Sequence, residues 1–248
     1  MNMDNGFITQ NNARILSSFE FQPRYRPDFR QEKKSGETGH QDEIKLNTDE
    51  RRFLMSVYTY LYKATLTEIY GITGFSASKG TRIAKKLEKD LMIKILNIVK
   101  GKGISKYPVL LSDAYKILNI EERKFEGKGC GYEHLIWQHI LAGHFKEHKA
   151  QIELNRGNKC IDAAFEYQNK LIAIEVAITS AHEKINIEKD IQLARADVVV
   201  IGCRDIKVLD EVNAIIKELS EDLRIKVRAF LLSKILSMDL EDMANEKA

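Results

Sequence analysis

Between Leu46 and Leu118 the chain runs through helical periodicities and then a strand–turn–strand pattern, and that order limits the fold more than any other feature of the sequence. Asn47 or Thr48 can cap a first helix, because a short polar side chain accepts from the unpaired amides of the first turn. In that helix Phe53, Leu54, Val57, Tyr58 and Leu61 recur at helical spacing. Thr65 caps a short second helix with Leu66, Ile69 and Tyr70 inside, predicted to stop at Gly71, with Ile72 to Phe75 as a turn. Ser76 or Ser78 opens a third, running to about Leu91 with Ile83, Leu87 and Leu91 on its inner face. Alternation then predicts a strand from Met92 to Val99, a turn at Lys100-Gly101-Lys102-Gly103 and a return strand from Tyr107 to Leu111, before a closing helix over Ser112 to Leu118.

Three helices followed by a basic-tipped hairpin is the order of a winged helix-turn-helix, expected over residues 46–120. In such a module the exposed start of the second helix of the pair enters the DNA major groove. Here that start carries Ser76, Ser78, Lys79, Thr81 and Arg82, with Lys85 and Lys86 behind them. Hydroxyls and first-turn amides suit phosphate oxygens, and Arg82 has the fork that reads guanine. Lys100, Lys102 and Lys106 are expected at the hairpin tip, against phosphate or the minor groove. The expected partner is double-stranded DNA. The charge agrees: residues 1 to 120 hold 20 Lys and Arg against 13 Asp and Glu, and the remainder 19 against 23, giving the net +3. A winged helix used for protein contact is the plain alternative.

Residues 1–45 lack periodicity and hold Arg24, Arg26, Arg30, Lys33 and Lys34 among small polar residues, as in a flexible basic arm. The charged, glycine-rich stretch 121–131 reads as a linker. Residues 132–235 then alternate helices and strands: a helix over Tyr132 to Glu147, strands over Gln151 to Leu154, Cys160 to Tyr167 and Leu171 to Ile178, and a helix from about Ala181 to Arg195. The apolar strand Asp197 to Gly202, a helix over Val208 to Leu219, a strand around Lys226 to Leu231 and a polar tail at 236–248 complete it. The fold class predicted is a two-domain mixture of α+β and α/β, with a central mixed sheet in the second domain. Trp137 is expected in the core. Cys130, Cys160 and Cys203 are odd in number and widely spaced, which suits reduced thiols and a cytoplasmic location. No apolar run approaches the length of a membrane span.

Asp162 and Glu175 lie thirteen residues apart on strands joined by Tyr167-Gln168-Asn169-Lys170, a natural hairpin turn. Carboxylates paired across strands at a sheet's mouth can hold a magnesium ion, and Glu133 on the preceding helix can add a third. A carboxylate in the buried strand Leu171-Ile172-Ala173-Ile174 is costly, and an ion pair to Lys184 or Lys189 is its simplest structural explanation. His144 and His148 have the i, i+4 spacing of a metal pair, but no cysteine or carboxylate pair stands near them in sequence.

This order, a helix with Glu, a strand with Asp, a hairpin and then Ile174-Glu175-Val176, resembles the PD-(D/E)xK restriction-endonuclease-like superfamily. The segments "SASKGTRIAKKLEKDLMI", "GKGCGYEHLIWQHI" and "KLIAIEVAITSAHEKINIEKDIQLARADVVVIG" resemble the C-terminal region of conjugation and mobile-element DNA-translocating ATPases, over roughly residues 46 to 205. The resemblance implies a winged helix joined to a nuclease-like domain, with Glu133, Asp162 and Glu175 catalytic, and Asp162 and Glu175 binding Mg²⁺. No GxxxxGK phosphate loop occurs, so the motor is expected as a separate ATPase partner. The chain departs from the superfamily pattern at Ala177, where a lysine is usual; Lys159, Lys184 or Lys189 are the candidates to replace it. Either a Mg²⁺-dependent deoxyribonuclease or a relative that binds DNA without cutting fits. The alternative is a transcriptional regulator or DNA adaptor whose second domain forms a homodimer or holds a partner.

Overall fold

The structure is a computed structural model that describes residues 45–101, 103–122, 131–156 and 159–245. The expected basic arm, most of the linker with Cys130, Lys102 and the last three residues lie outside the described residues. The first helices are α1 (Thr48–Thr59), α2 (Leu66–Thr73) and α3 (Ala77–Lys89). Each starts where a side chain satisfies a free amide. Asn47 accepts from the Glu50 amide while Glu50 accepts from the Asn47 amide, and Thr65 and Glu68 exchange the same pair of bonds. Ser76 caps α3 through the Lys79 amide.

The second helix does not stop at Gly71. It continues to Thr73 and ends at Gly74, whose φ of 69° is the left-handed turn that glycine adopts without strain; the amides of Gly74 and Phe75 fold back onto the Gly71 and Tyr70 carbonyls. Gly80 has a different duty: a Cβ there would overlap the Tyr70 ring, so glycine permits the close approach of α2 and α3. Strands β1 (Ile93–Lys100) and β2 (Gly103–Leu110) pair antiparallel from Ile93↔Leu110 to Lys100↔Gly103, and α4 (Ser112–Leu118) closes the region.

The remaining chain forms α5 (Tyr132–His144), β3 (Gln151–Arg156), β4 (Lys159–Tyr167), β5 (Lys170–Ala177), α6 (Glu183–Gln192), β6 (Val198–Cys203), α7 (Ile206–Lys217), α8 (Glu221–Arg224), β7 (Val227–Leu231), α9 (Leu232–Ile235) and α10 (Leu240–Asn245). Among the described residues the sheet order is β3-β4-β5-β6-β7, antiparallel up to β5 and parallel from β5 to β7. The chain is thus a mixed α/β protein with a five-stranded mixed sheet and a separate two-stranded one. The β4–β5 turn is as tight as its sequence suggests: Tyr167 pairs with Lys170, and Gln168 and Asn169 both take positive φ, the conformation that matches strand twist.

Helices cover both faces of the sheet. Ile172, Ile174 and Val176 pack toward α5 with its Leu135, Ile136, Trp137 and Leu141, and this core continues without a break into Phe53, Leu54, Ile69 and Leu87 of the first helices. Leu171, Ala173 and Ala177 face the other way, against Ile187 of α6 and Val208, Val212 and Ile216 of α7. Tyr62 stacks on Tyr132 and His139, where the two regions meet. Two expectations change here. The helix from Tyr132 ends at His144, and a 3-10 turn at Lys146–His148 follows, so His144 and His148 do not share one continuous helix face; His144 lies against Phe145 and His148 against Phe165 and Tyr167. The segment read as a polar tail includes α10, which buries Met243 and Ala244.

Candidate functional site

The ladder between β4 and β5 stops at Ala163↔Ile174, and the strands part there. The Val176 amide, having no strand partner on that side, donates to Asp162 Oδ2 at 2.7 Å. From α5, Gln138 Nε2 donates to Asp162 Oδ1 at 2.9 Å, and His134 Nε2 lies 3.0 Å from the same oxygen. Three groups on two elements therefore fix this carboxylate where the sheet opens.

Glu175 follows Ile174 on β5 and points to the α6 side, between Ala173 and Ala177, with 4% of its surface exposed. Its counter-ion is Lys159 at the start of β4, with Nζ 3.3 Å from Glu175 Oε2 and 3.6 Å from Asp190 Oδ1. Lys184 and Lys189 do not serve this role; both are exposed on α6. Ala177 is buried in the apolar core on the same face as Glu175. Helix α6 turns Glu183, Ile187 and Asp190 toward the sheet, the i, i+4, i+7 face of a helix.

Asp162, Glu175, Glu183 and Asp190 place four carboxyl groups around one fixed ammonium, a formal imbalance of −3 if all ionise (one lysine against four acids). Burial comes first in raising each affected acid. Glu175 is held well above the ordinary carboxylate range by burial and then by Asp162 and Asp190. Glu183 is pushed up to about 7 by burial and Asp162, and Asp190 to about 6 by burial against the opposing pull of Lys159. Burial works against the Lys159 ammonium, but Glu175 and Asp190 outweigh it and keep it charged. Among the described residues, Glu175 Oε1, Glu183 Oε2 and both Asp190 oxygens are buried without a hydrogen-bond partner. Buried polar atoms are almost always satisfied, so these oxygens fit a hard divalent cation, which prefers oxygen donors. Among the described residues no three His, Cys, Asp or Glu side chains stand in ready-made coordination geometry.

Glu133 is not drawn into this cluster. It is one-third exposed and its nearest cation is Arg204, at 4.0 Å. His134, one residue on, is the one that reaches Asp162. Glu183 and Asp190 were missed in the sequence because they lie among the surface-like residues of "HEKINIEKD". The signal was their spacing about Ile187, visible only if carboxylates are allowed on the inner face of a helix.

On the helical region, Ser76, Ser78, Thr81, Arg82 and Lys85 are exposed. Thr81 and Lys85 of α3 line a groove with Asn97 of β1 and Ser105 and Lys106 of β2, over a floor that includes Tyr70 and Ala84. Lys79 and Lys86 turn back to α1 instead: Lys79 pairs with Asp49 at 2.7 Å and lies over the Phe75 ring, and Lys86 pairs with Glu50 at 2.8 Å. Lys100 leans over the Tyr107 ring at 5.0 Å, and burial lowers its pKa. The end of the hairpin instead exposes Val99 and Ile104, cross-strand partners that are 55% and 66% exposed.

The chain matches no protein-family model, no curated protein and no solved structure. Among the described residues no helix is long and apolar enough to cross a membrane.

Proposed function

We propose that the protein is a DNA-binding, divalent-cation-dependent deoxyribonuclease whose helical region grips duplex DNA and whose sheet region carries the cutting site. The observation that carries this reading is Lys159. It reaches Glu175 from the neighbouring strand, so a lysine stands beside the motif carboxylate although Ala177 has replaced the usual one. Asp162 and Glu175 would hold the cation, which when bound supplies charge for the strained phosphodiester and lowers the pKa of attacking water.

The protein's own groups do the rest. His134, Gln138 and the Val176 amide fix the direction of Asp162. Lys159, kept charged by its neighbours, offers an ammonium to a phosphate oxygen or to the water that attacks it. Lys85 and Lys106 supply cations for backbone phosphates and Thr81 and Ser105 supply hydroxyls along the same groove, with Arg82 exposed on α3 beside Thr81. The resemblance to the tails of DNA-translocating ATPases supports a mobile-element setting with a separate motor as partner. A second reading, a nuclease-like domain that binds DNA without cutting, draws on the absence of ready-made coordination geometry among the described residues.

Supercoiled plasmid with Mg²⁺ or Mn²⁺ tests the proposal. Nicking is expected, with a loss of at least about a hundredfold in Asp162→Ala and Glu175→Ala while gel-shift affinity is kept. Replacing both Arg82 and Lys85 by Ala should weaken binding about tenfold and flatten its salt dependence by up to roughly 2 in log–log slope. Binding without nicking in any metal would overturn the enzymatic reading and favour the second.

A further inference from the structure

We propose that Glu183 on α6, and not Glu133 on α5, is the third carboxylate ligand of the divalent cation that Asp162 and Glu175 bind. The inference rests on the nuclease reading and names a ligand that the sequence pattern assigned elsewhere.

Geometry separates the two glutamates. Glu183 is 5% exposed and its Oε2 is buried without a partner, whereas Glu133 is one-third exposed and faces Arg204. Helix α6 holds Glu183 on the same buried face as Ile187, which packs in the core with Ala173 and Ala177 of β5, and as Asp190, which shares Lys159 with Glu175. Asp162, Lys159, Asp190 and His134 all act electrostatically on Glu183, so it belongs to the same cluster of charges.

A purely structural role explains the arrangement poorly. Burying a carboxylate with an unsatisfied oxygen is unfavourable, and here it stands among three more acids with one lysine to answer them. Lys159 is already shared between Glu175 and Asp190, and among the described residues no ion pair reaches Glu183. A divalent ion shared by Asp162, Glu175 and Glu183 would remove the imbalance that the protein cannot remove itself. Oxygen-only donors suit hard ions such as Mg²⁺ or Mn²⁺.

The test is Mn²⁺ binding to the full chain, followed by electron paramagnetic resonance of the free ion, with far-UV circular dichroism in EDTA alongside. Glu183→Gln should bind Mn²⁺ at least tenfold more weakly than the natural chain, and Glu133→Gln within twofold of it. Glu183→Gln should also stay folded in EDTA, since the change removes a crowded charge and keeps the side chain's shape. Undiminished affinity in Glu183→Gln overturns the assignment and leaves the nuclease reading standing. A natural chain that binds no Mn²⁺ at millimolar concentration overturns both. A Glu183→Gln chain unfolded in EDTA shows a structural role and also overturns the assignment.

Discussion

Two glutamates of the molecule are equally buried, and each has a lysine partner, yet they are built differently. Glu50 on α1 accepts from the Asn47 amide with one oxygen and pairs with Lys86 through the other. Its partner is half exposed and can reach water. Glu175 on β5 pairs with Lys159 through one oxygen, while the other has no hydrogen-bond partner among the described residues, and that lysine is only 11% exposed and shared with a second acid. The helical region thus satisfies its buried charge, and the sheet region leaves its own in deficit. A fold under selection for stability alone would close such a deficit with an apolar core, which is often as stable or more so.

The widest gap between the two pairs should open when the lysines are removed. Lys159→Met strands Glu175 and Asp190 in the core and should cost about 4 kcal/mol of stability in metal-free protein. Lys86→Met leaves Glu50 its capping bond and solvent nearby, and should cost less than about 1 kcal/mol. Urea denaturation compares them, and similar losses would erase the contrast.

Titration should separate the regions next. Glu183 is raised from 4.5 to about 7, so folding favours its protonated form. Stability from that preference is full below the unfolded value near 4.5 and is lost as pH rises through about 7. The natural chain and Glu183→Gln should therefore be equally stable near pH 4.5, with the variant ahead by about 3 kcal/mol above pH 7 in EDTA. The difference between the chains is the quantity to follow. His139, lowered to about 4 by burial and then by Lys63, works the other way in both, losing stability as pH falls from 6.5 toward 4. A difference that does not vary with pH would place Glu183 in water.

Packing gives the smallest effect. Gly80→Ala forces a methyl into the Tyr70 ring between two helices and should cost about 2 kcal/mol. Gly202→Ala on β6 meets the flexible end of Leu232 and should cost less. Thermal unfolding of the two variants orders them.

Much of this architecture was legible in the residues. Caps at Asn47, Thr65 and Ser76 announce helices because each has a short oxygen-bearing side chain, with Glu50 and Glu68 three residues beyond the first two. Gln168-Asn169 announces its turn because both residues tolerate positive φ. The apolar run Leu171-Ile172-Ala173-Ile174 placed Glu175 inside a buried strand. What local pattern could not supply was partnership across the fold. Lys79 and Lys86 read as DNA-facing because nothing in α3 itself shows that Asp49 and Glu50 of α1 lie beside them. The strand expected from Cys160 begins one residue earlier, at Lys159, whose side chain reaches Glu175. Ile185 shares a helix with Ile187 yet is half exposed, so the inner face of α6 joins one isoleucine, Ile187, to two acids, Glu183 and Asp190.

The single tryptophan, Trp137, sits between these histories. It is 3% exposed in the core, and the next residue of α5 is Gln138, which holds Asp162. With no second indole in the chain, its fluorescence is an unmixed signal from the backbone that steadies the site. Emission wavelength would report loss of the core on unfolding, and lifetime or quenching would report small shifts of α5 while the protein stays folded. The molecule carries its own optical gauge of whether that carboxylate is held.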